Sequence, residues 1–89
     1  MKEHSLEVTY RHGEPLAAYL HLPRRPGEKS YRTSPAEAGM VIDYGRSGKP
    51  IGIEITAPGK LTLAALNRVL RGLGLPGLKR SDLSPLRAA

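Results

Sequence analysis

Two carboxylates give the chain its sharpest chemical lead. Asp43 and Glu54 lie in two runs rich in β-branched and apolar residues, Met40-Val41-Ile42-Asp43-Tyr44 and Ile51-Gly52-Ile53-Glu54-Ile55-Thr56. Gly45-Arg46-Ser47-Gly48-Lys49 separates them. Runs of this kind around a Gly-rich turn predict an antiparallel hairpin, which places the acids on adjoining strands. A close pair of carboxylates can act as acid and base or hold a cation. His21 can join them if its strand lies beside the hairpin. The competing role is structural. The outer face of a half-solvated sheet is polar, and like charges side by side call for a basic neighbour, for which Arg11 is the candidate. The candidate polar face is therefore Asp43, Glu54, His21 and Arg11. Spacing ties no third group to the acids, so the sequence assigns no catalytic residue, no metal-ligand set and no cofactor.

The basic residues are the second lead. Arg24, Arg25, Lys29 and Arg32 cluster around Tyr31. Such residues can neutralise phosphates while the tyrosine stacks on a base. Arg68 and Arg71 add two cations on a predicted helix, and Lys79 and Arg80 follow in the tail. A helix-turn-helix reader is not expected, because Gly72, Gly74, Pro76 and Gly77 interrupt the chain where a second helix would begin. The loop at residues 45–49 has the wrong spacing for a phosphate-binding P-loop and precedes a strand. His4, His12 and His21 lack metal-ligand spacing, and no Gly-x-Ser-x-Gly elbow occurs.

Composition narrows the classes further. The 89 residues carry a formal charge of +6 and no cysteine. A disulfide framework, a thiolate zinc site and a cysteine nucleophile are therefore excluded, and a cytoplasmic location is expected. The pI near 10.1 invites an acidic partner, nucleic acid among them, although a soluble surface with surplus arginine gives the same balance. No apolar run is long enough to span a membrane, and the first residues show no apolar leader core. With four tyrosines and no Phe or Trp, the core must be aliphatic.

The elements that position these groups follow from periodicity. Residues 6–11 alternate, with Leu6, Val8 and Tyr10 on one side, and residues 16–22 place Leu16, Ala18, Leu20 and Leu22 on one side. His12-Gly13-Glu14-Pro15 between them is a turn. Residues 23–29 form a solvated basic loop, residues 30–34 a short strand, and residues 35–39 a break before the second hairpin. From residue 60 the period changes. Leu63, Leu66, Leu70 and Leu73 make one helical stripe, widened by Ala65 and Val69, with Thr62 as N-cap and Gly72 or Gly74 as the stop. The expected fold is a single α+β domain. A small twisted antiparallel sheet of four to five strands and two hairpins fills about residues 6–56. One C-terminal helix, residues 60–73, packs its leucines on the Ile51, Ile53 and Ile55 face, and residues 75–89 form a tail.

Residues 40–56 resemble an element of a widespread family of small bacterial and archaeal proteins, domain-of-unknown-function family twenty-two eighty-three. In that family a Val-Asp-Tyr-Asp turn and a Gly precede Val-Gly-Ile-Glu-Ile. Here Ile42-Asp43-Tyr44-Gly45 and Gly48 precede Ile51-Gly52-Ile53-Glu54-Ile55. Val8-Thr9-Tyr10 and Tyr19-Leu20-His21-Leu22 are similar to the family's first two strands, with one extra residue between them. The family's acidic turn is replaced by Arg11-His12-Gly13-Glu14-Pro15. The resemblance covers about residues 6–56, and the helix and tail are an extension. It attaches no activity. Some members look like partners of small toxins, which implies an antitoxin or accessory role.

Together these readings predict a small non-enzymatic interaction protein that forms a homodimer or binds a partner protein. The alternative is nucleic-acid binding through Arg24, Arg25, Lys29, Arg32, Arg68 and Arg71.

Overall fold

Five strands run in the spatial order β1-β2-β5-β4-β3, each antiparallel to its neighbours. They are β1 Ser5–Arg11, β2 Glu14–His21, β3 Arg32–Ala36, β4 Met40–Tyr44 and β5 Pro50–Ile55. A computed structural model describes residues 5–37 and 39–87 of the chain. Beyond the sheet come a 3₁₀ turn at Pro58–Lys60, helix α1 at Leu63–Gly72, a 3₁₀ turn at Arg80–Leu83 and a single helical turn, α2, at Ser84–Arg87.

The first hairpin closes tightly. His12 and Gly13 both have positive φ, 54° and 80°, the pair of conformations that a two-residue turn requires to match strand twist. Strand β2 consequently begins at Glu14, two residues before the apolar alternation suggests. Both hairpins then carry a bulge near the turn. Thr9 faces Ala17 but Tyr10 faces Pro15, leaving Leu16 unopposed. Asp43 faces Gly52 but Tyr44 faces Pro50, leaving Ile51 unopposed. The first bulge corrects the expected core face of β2. Leu16 is 52% exposed, whereas Ala18, Leu20 and Leu22 are buried. An extra residue reverses the alternation locally, so the pattern cannot be extended through it.

Strand β3 also differs from expectation. It runs through Ser34, Pro35 and Ala36, where Pro35 reads as a break. Proline is tolerated because β3 is an edge strand, paired among the described residues with β4 alone.

The covered face of the sheet supplies Ala18, Leu20, Leu22, Met40, Ile42, Ile53 and Ile55, and α1 supplies Ala65, Leu66 and Leu70. The Leu stripe therefore lies on Ile53 and Ile55, as the spacing predicts, whereas Ile51, at the bulge, is buried outside that cluster. Each fully buried aliphatic side chain contributes roughly 1.5–3 kcal/mol. Thr62 caps α1 through its hydroxyl, which accepts the Ala65 N–H at 3.1 Å. Gly74, at φ 77°, ends it: the Leu75 N–H reaches the Leu70 carbonyl at 2.9 Å and the Gly74 N–H the Arg71 carbonyl at 3.0 Å.

The tail packs on its own domain. Leu78 and Leu83 are buried in the same core. Asn67 holds the approach: its Oδ1 accepts the Leu78 N–H at 2.7 Å and its Nδ2 donates to the Leu78 carbonyl at 3.2 Å. The Tyr10 hydroxyl donates to the Pro85 carbonyl, tying β1 to α2.

Candidate functional site

The sheet face turned away from α1 carries the acid pair. Register sets its geometry. Asp43 lies opposite Gly52, which lies opposite His21, while Glu54 lies between Tyr19 and Val41 in the next row. Asp43 and Glu54 are thus diagonal neighbours, not a directly facing pair, a relation that separates Cα atoms by about 7–8 Å. Tyr19 occupies the ground between the rows. Its hydroxyl donates to Asp43 Oδ2 at 2.7 Å. The phenol crosses above Gly52, where any Cβ would overlap it. Burial, then the hydrogen bond to Asp43, then the charge of Asp43 push the Tyr19 hydroxyl well above the usual tyrosine range. This hydroxyl is a firm donor and a poor base. Sequence reasoning missed the contact, although glycine inside a strand signals close approach of another group.

His21 shares the face without joining the acids. Its Nε2 pairs with Glu7 Oε1 at 2.9 Å across β1, and its ring meets Tyr19 edge-on at 4.7 Å between centroids. Arg11 stands opposite Glu14 at the first hairpin's turn. Along β2, Glu14 is seven residues from His21, about 23 Å at roughly 3.3 Å per residue. Arg11 is therefore at the other end of the sheet from Asp43, and the Tyr19 hydroxyl, not Arg11, is the partner shown for that acid. Among the described residues no cluster of three or more His, Asp or Glu side chains is placed to hold a metal ion.

The second constellation arises from topology. Strand β2 ends beside the start of β5, and β3 begins beside the end of β4. The chain from Leu22 to Tyr31 must cross the ends of β5 and β4 to reach the far edge, a span of roughly 14 Å at about 4.8 Å per strand. It consequently passes the turn between β4 and β5. Arg25-Pro26-Gly27-Glu28 makes a tight turn on the way, with the Glu28 N–H bonded to the Arg25 carbonyl at 3.1 Å and Gly27 at φ 79°. Glu28 reaches over the second hairpin's turn. Its carboxylate fills the space a side chain on Gly45 would need, and it accepts the Ser47 hydroxyl at 3.3 Å.

Two clefts open beside this bridge. One, of about 290 Å³, is bounded by Arg24, Arg25, Glu28, Ser47 and Lys49. The other, of about 440 Å³, is bounded by Glu28, Lys29, Tyr31 and Arg46. Arg46 stands over the Tyr31 ring at 4.9 Å, and Arg32 over the Tyr44 ring at 4.2 Å. The structure thus places Arg24, Arg25 and Lys29 along the two clefts and adds Arg46 and Lys49 from the neighbouring turn, while Arg32 lies over Tyr44 and bounds neither cleft.

Arg68 belongs elsewhere. Its guanidinium grips Glu37 with two bonds, 2.7 and 3.1 Å, beyond the far end of β3. The hydrogen bond to Arg68 and its charge hold the Glu37 carboxyl below the usual range. Arg71 is exposed in the last turn of α1. No family model, curated protein or solved structure matches the chain. Among the described residues no helix is long and apolar enough to cross a membrane.

Proposed function

We propose that this chain is a small, non-enzymatic, cytoplasmic interaction protein that pairs strands with a second protein chain, and that the first such partner is another copy of itself. The observation that supports this reading is β1. It is an edge strand of seven residues without proline, and among the described residues it pairs with β2 alone, with α2 meeting it at Tyr10. Its outer backbone groups are a template for another strand. The opposite edge is weaker: β3 has five residues and Pro35 removes one donor. A domain of 89 residues buries a limited core, so an added interface brings real stability.

The side chains of β1 suit a two-fold antiparallel pairing centred on Thr9. That register sets Glu7 opposite Arg11 of the second copy and Val8 opposite its Tyr10, with opposite charges on one face and apolar groups on the other. The acid pair serves this protein as part of its outer face, because Asp43 is already held by Tyr19. The likeness of residues 42–55 to the toxin-associated family supports an antitoxin-like or accessory role for the assembly.

Light scattering over a rising protein concentration tests the reading. The expected mass is twice the 9.6 kDa of one chain. A single-chain mass at every concentration, together with no partner recovered from native extract, overturns it.

A further inference from the structure

We propose that the clefts formed by residues 22–31 and the turn at residues 45–49 are a binding site for single-stranded nucleic acid. The charge is concentrated there. Arg24, Arg25 and Lys49 bound one cleft and Lys29 and Arg46 the other, and Glu28 is the one carboxylate among the described residues bounding them. Glu28 is committed to Gly45 and Ser47, where it fixes the loop against the turn. A phosphodiester backbone is the ligand whose repeated single charges match cations spread over two adjoining clefts.

Tyr31 decides between nucleic acid and an acidic protein. It is 60% exposed, the most exposed of the large apolar side chains described. Arg46 lies over one face of its ring, so a base can stack on the opposite face of the phenol or on the outer face of the guanidinium. Only an unpaired base offers its face. A run of carboxylates alone offers charge but no flat face to stack there. Duplex DNA is disfavoured because its stacked bases present edges and no free face to Tyr31. This surface is at the opposite end of the sheet from Arg11 and the first hairpin's turn, and the inference does not depend on strand pairing at β1.

The experiment is fluorescence anisotropy with labelled oligo(dT) and oligo(U), a duplex of mixed sequence, and polyglutamate, each titrated over a range of salt. Single strands are expected to bind, with log affinity falling by about 0.7 per phosphate neutralised for each decade of salt. Replacing Arg25 and Lys49 together by Ala should reduce that slope by about 1.4. Tyr31→Ala should weaken single-strand binding roughly 5- to 150-fold, the worth of one stacked base, and leave the salt slope unchanged. Lys60→Ala, at the other end of the sheet, should change neither. All four side chains are exposed, so circular dichroism should report an intact fold for every variant. The proposal is overturned by absence of binding at low salt, by polyglutamate binding as tightly as the single strands, or by duplex binding as tightly with no effect of Tyr31→Ala.

Discussion

The Tyr19 hydroxyl passes through the position a Cβ on Gly52 would occupy and reaches Asp43 Oδ2 at 2.7 Å. Three strands, β2, β5 and β4, are thereby tied on the uncovered face by one side chain. The glycine is required by the close approach, because its backbone needs no unusual angle. Gly52→Ala must displace the phenol and break its bond to Asp43. A loss of about 1–3 kcal/mol in urea unfolding is expected. Adding Tyr19→Ala should remove the conflict, so the double variant should be more stable than the sum of the two single losses by about 0.5–3 kcal/mol. Strict additivity would show that the two residues do not compete for this space.

The same contact makes a statement about pH. Burial and Asp43 raise the Tyr19 pKa in the folded state above the value of about 10 that the unfolded chain has. The folded protein therefore keeps a proton that the unfolded chain gives up. This contribution is complete below about pH 10 and is lost as pH rises above it. Alkaline unfolding followed by circular dichroism should be steeper in the wild type than in Tyr19→Phe, which lacks the titrating group. Identical alkaline limbs would contradict the assignment.

Much of the fold was legible because its signals are periodic. The Leu63–Leu73 stripe, the Thr62 cap and the two alternating hairpins each repeat a spacing that only one element satisfies. The remainder depends on contacts between distant parts of the chain. Leu16 leaves the core because of a bulge, and Pro35 stays in a strand because that strand is an edge. Leu78 and Leu83 join the core without any regular spacing, since Asn67 and not a helical period brings that segment in. At the candidate sites, the sequence marked Arg24, Arg25, Lys29 and Arg32, but the union of the first three with Arg46 and Lys49 follows from strand order. Strand order also separates Arg11 from Asp43, and the seating of α1 ties Arg68 to Glu37, neither of which charge pattern alone shows.

The tail is part of the folded domain in this account, and its leucines measure that. Leu66 is fully buried on α1, and Leu83 is 3% exposed in the tail. Leu66→Ala should cost about 2–5 kcal/mol, and Leu83→Ala should fall in the same range. Chemical denaturation of both variants checks this. A loss for Leu83→Ala within about 0.5 kcal/mol of zero, the range of a surface change, would place the tail outside the core.

The pairing of two copies along β1 is the central claim, and a charge exchange measures it most directly. Sedimentation equilibrium should be run on the wild type, on Glu7→Arg, and on Glu7→Arg combined with Arg11→Glu. The single change sets like charges against each other at both ends of the two-fold pairing, and should weaken association roughly tenfold. The double change restores opposite charges between copies, though not the bond from Glu7 to His21 within one chain, and it leaves Glu14 facing a second carboxylate. Recovery of the wild-type dissociation constant in the double variant is the predicted result. A single-chain mass for all three proteins, or one dissociation constant shared by all three, would contradict it.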